Sequence, residues 1–121
     1  MGVAYHAHYL VWFELGRTEL MREAGCAYRD VEDREGIFFP VVELGARYRA
    51  PARYDDRLVV VTRLTSVTGV RVRFDYHIQR DPEGEVLATG FTEHCAVDGN
   101  GRPVRLPVGL RAKLGTWGSP A

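Results

Sequence analysis

From residue 9 onward the apolar positions Tyr9, Leu10, Trp12, Phe13, Leu20 and Met21 recur near a 3.6-residue period, with Glu14, Arg17, Thr18 and Arg22 between them. That spacing predicts an amphipathic helix from Tyr9 to about Ala24. Gly16 falls inside it, where glycine costs about 1 kcal/mol relative to alanine; a sheet approaching the helix closely at that point would account for it. Gly25 suits a helix C-cap, and residues 27–35 form a second short helix closed by Gly36. The period then changes to two. Ile37 to Tyr48 is apolar-rich and strand-like, and Pro40 implies an edge position or a bulge near its start. Leu58 to Val67 is rich in Val and Thr. Val70, Val72, Phe74, Tyr76 and Ile78 alternate with Arg71, Arg73, Asp75, His77 and Gln79, the pattern of a strand with one buried face. Asp81-Pro82-Glu83-Gly84 has turn chemistry, Val86 to Val97 reads as another strand, and Asp98 to Gly101 as a further turn. Pro103 to Leu114 ends in a short helix starting near Pro107. One long helix followed by four strands with short turns predicts an α+β fold, an antiparallel sheet packed on a helix. Residues 1–114 form one domain and 115–121 a frayed tail.

Composition narrows the classes of function. A chain of 121 residues buries roughly two-thirds of its unfolded surface, enough for one core. With 45% hydrophobic and 26% charged residues it is not a disordered segment. Sixteen basic and 16 acidic residues give zero formal charge, which argues against a nucleic-acid partner, since such proteins carry a net basic face. Cys26 and Cys95 have neither metal-ligand spacing nor the density of a disulfide scaffold. No apolar run approaches the roughly 20 residues of a membrane span, and no charged-then-apolar leader opens the chain, so a cytoplasmic protein is expected. No phosphate-cradling glycine loop and no nucleophile elbow occur.

The opening stretch carries the chemistry: Gly2-Val3-Ala4-Tyr5-His6-Ala7-His8-Tyr9-Leu10-Val11-Trp12-Phe13-Glu14, then Arg17. It resembles the 4-hydroxybenzoyl-CoA thioesterase family, especially its short bacterial acyl-CoA thioesterases, in which a strand leads into Asp-x-x-Gly-Val-Val-Tyr-His-x-x-Tyr and then a long central helix. Gly36 to Glu43, Tyr48 to Asp56, Ala88 to His94 and Gly101 to Pro107 also resemble the family, in order and at its spacings. The resemblance implies a hotdog fold, an antiparallel sheet wrapped around one long helix. It also implies hydrolysis of an acyl-CoA thioester to acid and CoA without a metal or redox cofactor, coenzyme A entering only as part of the substrate. Self-association follows too, as a homodimer or homotetramer with sites between subunits. The family's catalytic aspartate lies three residues before the motif glycine, here Gly2, which is a position ahead of Met1. The favoured reading is a start codon upstream that supplies both the aspartate and its strand. If the carboxylate is absent, a non-catalytic acyl-CoA or acyl-carrier binding protein follows, and a structural subunit without ligand is the third reading. A hotdog dehydratase is disfavoured, since its His/Glu pattern is not evident.

By the same resemblance the backbone N–H of His6 polarises the thioester carbonyl, where unpaired amides and the positive dipole end of the helix coincide. Glu14 is the substitute base, although with Arg17 three residues on it also suits an ion pair. Tyr5 lines the acyl pocket; Tyr9 reads rather as core. Glu43, between apolar residues, is either paired or functional. Arg53, Arg71 and Arg73 are candidates for the CoA phosphates, because the guanidinium suits bidentate contact, against the plainer reading of a solvated face. His77 and His94 read as ordinary strand residues, and Cys95 as a small buried hydrophobe.

Overall fold

The computed structural model describes residues 7–53 and 55–117. Helix α1 spans Ala7–Glu23. Its buried side chains Tyr9, Phe13, Leu20 and Met21 fall on one stripe, because positions three or four apart share a helix face. The stripe is interrupted at Gly16, where an added Cβ would collide with Thr62 Oγ1 and stand 3.0 Å from Val60 Cγ1. The packing reason expected for this glycine is therefore present. At the C-terminus Gly25 adopts φ +79°. There Cys26 N–H donates to Met21 O at 2.8 Å and Gly25 N–H to Arg22 O at 3.1 Å, closing the orphan carbonyls of the last turn. Helix α2, Tyr28–Glu35, ends at Gly36 with φ +63°.

Four antiparallel strands follow: β1 Val41–Tyr48, β2 Arg57–Val67, β3 Arg71–Asp81 and β4 Val86–Cys95. Their order across the sheet is β1-β4-β3-β2, so β1 and β2 are the two edges. The predicted alternation in β3 holds: Val72, Phe74, Tyr76 and Ile78 are buried and face α1. Phe13 of α1 stacks on Tyr76 with centroids 4.5 Å apart. The same ring closes over Gly90, where a Cβ would stand 2.5 Å from Phe13 Cε2 and 2.7 Å from Gly45 O. Helix α3, Val108–Trp117, buries Leu110 and Leu114.

Several boundaries differ from the pattern. The first strand begins at Val41 rather than Ile37, because Pro40 has no N–H for the ladder. Before it, Phe38 bridges Val97 instead, and β4 accordingly stops at Cys95 rather than Val97. The predicted irregularity is a register shift between Val41 and Glu43 on an edge strand. Helix α3 continues three residues past Leu114. Leu10, expected in the buried stripe, is 37% exposed, and Val11 and Leu15 lie open beside it. Only one side of α1 meets the sheet, so apolar residues about 100–240° round the helix from Tyr9 find little to cover them among the described residues.

Candidate functional site

The expected site is the start of α1. His6 and Tyr5 lie outside the described residues. Tyr9 is buried, its ring edge-on to Tyr48 at 4.9 Å and to Trp12 at 5.0 Å. Its hydroxyl oxygen accepts the Ala52 N–H at 3.1 Å. That bond fastens the loop after β1, residues 49–56, to the mouth of the helix. Arg53 follows Ala52 directly and is exposed.

A tight turn holds Arg53. Its N–H donates to Asp56 Oδ2 at 2.7 Å, Asp56 N–H returns a bond to Arg53 O at 3.1 Å, and Asp55 between them has φ +70°. Arg80, at the end of β3, grips the turn from beneath. Its Nε and Nη2 donate to Asp56 Oδ2 at 3.3 and 3.2 Å, and Nη2 also to Pro51 O at 3.0 Å; Nη1 pairs with Glu85. The Asp56 carboxyl is held below the usual carboxylate range, first by the Arg53 amide and then, against partial burial, by Arg80.

Glu14 is exposed and stands seven residues beyond Ala7, about 10 Å along the axis at 1.5 Å per residue. It is not ion-paired to Arg17 among the described residues. Burial raises the pKa of the Tyr28 and Tyr76 hydroxyls, and the Arg17 charge opposes that rise only in part. The Arg17–Tyr28 approach is electrostatic rather than a formed hydrogen bond, since Tyr28 Oη is enclosed without a bonding partner.

Beneath α1 runs a buried hydrogen-bonded chain. Tyr76 Oη lies 2.6 Å from Thr92 Oγ1, Thr92 Oγ1 2.8 Å from His94 Nε2, and His94 Nδ1 2.9 Å from Phe39 O. A carbonyl can only accept, so Nδ1 carries the proton, Nε2 accepts from Thr92, and Thr92 accepts from Tyr76. Burial, helped by the Arg17 charge, lowers the His94 pKa against the pull of the Phe39 carbonyl. The alternation that marked β3 contained the signal for this chain. Continued through β4, it sets Ala88, Gly90, Thr92 and His94 on the face toward the helix, where two polar residues require partners.

The other predicted residues lie elsewhere. Arg71, Arg73 and Glu43 face the side of the sheet away from α1. Arg73 bonds Asp75 through Nε at 3.1 Å and Nη2 at 3.2 Å, approaches Glu93 at 3.8 Å and lies over the Phe91 ring at 4.2 Å. Arg71 approaches Glu93 at 3.6 Å. Glu43 is exposed opposite Glu93, its charge acting on Arg73. Of the three arginines, the structure brings only Arg53 to the start of α1. A recess of about 660 Å³ lies along the later half of α1 against β2 and is lined by Leu15, Glu19, Val60 and Arg63, away from the helix mouth. Among the described residues no cluster of three or more His, Cys, Asp or Glu could hold a metal ion. No described helix is long and apolar enough to cross a membrane.

Comparison with known proteins agrees with the fold. The profile of the Thioesterase-like superfamily matches residues 1–114. The chain is 39% identical over 117 residues to the putative acyl-CoA thioesterase YneP of Bacillus subtilis, across 97% of this chain and 81% of that protein. It is 31% identical over 112 residues to the acyl-CoA thioesterase YbgC of Haemophilus influenzae, across 92% and 81% respectively. A hypothetical protein of Thermus thermophilus superimposes with a TM-score of 0.89 at 40% identity, over 97% of this chain and 88% of that one. The antiparallel sheet with α1 across one face is the hotdog arrangement that the sequence resemblance implies.

Proposed function

The chain belongs to the thioesterase-like superfamily, and from that premise we propose that it hydrolyses an acyl-CoA thioester to the free carboxylic acid and CoA at the start of α1. The observation that carries the placement is the Ala52–Tyr9 bond, which sets the Arg53 loop against the helix mouth. The first N–H groups of a helix have no intrahelical acceptor and sit at its positive end. The thioester oxygen rests against the His6 N–H, the acyl group lies along Tyr5, and Arg53 meets the CoA phosphates. Water adds to the carbonyl carbon, the oxyanion is stabilised by that N–H donor, and the tetrahedral adduct expels CoA thiolate, which takes up a proton.

The base removes a proton from that water. Glu14 is the described candidate, and since it stands about 10 Å from its own helix start, in this reading it serves the site of a second copy. Glu14, Leu10 and Arg17 share the flank of α1 toward α2, as the action of the Glu14 charge on Tyr28 supports. On the β1 edge Val41, Val42, Leu44 and Tyr48 are each 41–49% exposed, an apolar edge of the kind that sheets normally cover. In this reading two copies join along β1. Arg71, Arg73 and Glu43 belong to the charge cluster on the outer face rather than to this pocket.

Thiol release from a panel of acyl-CoAs tests the reading. His6→Ala keeps the amide donor and leaves kcat within a few-fold, whereas His6→Pro removes the donor at a position where proline is tolerated and lowers kcat about 10²- to 10³-fold. Equal rates for the two variants would remove His6 from the oxyanion site. Glu14→Gln abolishes turnover if Glu14 is the base and spares it if an aspartate ahead of Gly2 serves. A binding protein without turnover is the second reading, favoured by the distance of Glu14 from its own helix mouth; saturable acyl-CoA binding with no thiol release in any variant would establish it.

A further inference from the structure

We infer that Arg80 is a positioning residue for recognition of the nucleotide end of coenzyme A, acting through Asp56 and the Pro51 carbonyl to aim Arg53. The inference rests on the proposed placement of acyl-CoA at the start of α1. Arg80 lies at the far end of β3, and three of its bonds fix the loop that Tyr9 ties to α1. Nε and Nη2 hold Asp56 Oδ2 at 3.3 and 3.2 Å, and Nη2 holds Pro51 O at 3.0 Å.

The same Asp56 oxygen receives the Arg53 N–H at 2.7 Å. Arg80 thus grips the loop at residues 51 and 56, and the Ala52–Tyr9 bond ties the middle to α1. Between these fixed points the Arg53 side chain is exposed, while its own N–H and carbonyl are both bonded to Asp56. This differs from an ordinary surface ion pair. The Arg80 and Asp56 side chains are only 21% and 19% exposed, and the guanidinium spends two directions of its fork on one short loop. A planar fork supplies that geometry and an ammonium does not. A bond network around a turn whose Asp55 has φ +70° also holds a conformation that a free loop would rarely occupy.

The consequence is chemical selectivity. The phosphates of CoA lie at the end of the molecule remote from the thioester, so a loop that aims a cation at them contributes to binding and not to the bond-breaking step. Loss of Arg80 therefore raises KM for acyl-CoA and leaves kcat nearly unchanged. It has no effect on acyl-pantetheine, which carries the same thioester without the nucleotide and its phosphates. A merely structural role would weaken both substrates alike.

The experiment compares wild type, Arg80→Ala, Arg80→Lys, Asp56→Asn and Arg53→Ala on one acyl group presented as acyl-CoA and as acyl-pantetheine. Free CoA and pantetheine binding are measured alongside by titration calorimetry. The expected result is a rise of about tenfold in KM for acyl-CoA with Arg80→Ala, with kcat within about twofold and acyl-pantetheine unaffected. Arg80→Lys recovers only part of the loss, and adding Arg80→Ala to Arg53→Ala costs nothing further, because both act on the same contact. An unchanged preference for acyl-CoA over acyl-pantetheine in Arg80→Ala and in Asp56→Asn overturns the inference; so does equal loss on the two substrates. If Arg80→Ala does not fold, Asp56→Asn and Arg80→Lys decide by the same ratio. If wild type releases no thiol from any substrate, the hydrolytic reading fails alone. The CoA-to-pantetheine binding ratio then decides for Arg80, which stands if the ratio falls in its variants and is overturned if it does not.

Discussion

At Gly16 and Gly90 a single missing methyl group sets how closely α1 lies on the sheet, and the two positions differ in what would have to yield. An alanine at Gly16 meets the Thr62 hydroxyl and Val60 Cγ1, both side-chain atoms. At Gly90 it meets the Phe13 ring and the Gly45 carbonyl, and the carbonyl is part of the ladder. Gly16→Ala is expected to cost about 1–3 kcal/mol from overpacking, less up to about 1 kcal/mol of helix propensity, in urea unfolding. Gly16→Ala with Thr62→Ala recovers most of that loss, and Gly90→Ala costs more than Gly16→Ala. Gly16 was legible in the sequence because a glycine inside a helical period calls for a packing reason. His94 was not, because a histidine in a strand looks the same exposed or buried until the face is known. Its environment makes a pH prediction. Arg17 from α1, Tyr76 from β3, Thr92 from β4 and the Phe39 carbonyl surround the ring, whose pKa lies below 6.5 in the fold. The unfolded chain then binds the proton more readily, so the stability His94 supplies is complete above about pH 6.5 and is lost as pH falls through that value toward the lower folded one. Urea midpoints at about pH 8 and about pH 5.5 should converge in His94→Gln relative to wild type; an unchanged difference would exclude His94 as its source.

Among the elements, periodicity located all three helices and four strands, and the ends moved where backbone chemistry overrode it. Pro40 removed a ladder donor and split the predicted first strand. At α1 the period was right, but the width of its apolar stripe was misleading. Leu10 belongs to the sequence pattern and not to the core of the protomer, since periodicity does not say which neighbour covers a face. The turn after β4 was legible in full. Asp98 Oδ1 accepts the N–H groups of Asn100 at 2.8 Å and Arg102 at 3.1 Å, and Gly101 adopts φ +80°. Asp98→Ala should lower stability by about 1 kcal/mol in chemical denaturation, the typical net value of such bonds. The loop between β1 and β2 was half legible. Its Ala50-Pro51-Ala52-Arg53 run stood out by resemblance, but Arg80, which holds it, lies 24 residues from Asp56 in the chain, and no local pattern links them.

In the molecule as a whole the exposed apolar residues of β1 and the Leu10 flank of α1 fall on one side. If two copies join there, Leu44→Lys should shift the protein to monomer in light scattering, keep its far-UV helical signal, and lose thiol release because each site is left incomplete. A monomer with undiminished activity would separate the reaction from assembly. The sheet order has a further consequence. Among the described residues β2 is also paired on one side only, so the described sheet has two margins of different character. The margins are unlike: β1 exposes Val41, Val42, Leu44 and Tyr48 around the opposite charges of Glu43 and Arg47, whereas β2 carries exposed Arg57 and Arg63, whose like charges repel another copy of themselves. If two copies join edge to edge, Arg57 and Arg63 oppose pairing of β2 with itself and so favour closure through β1.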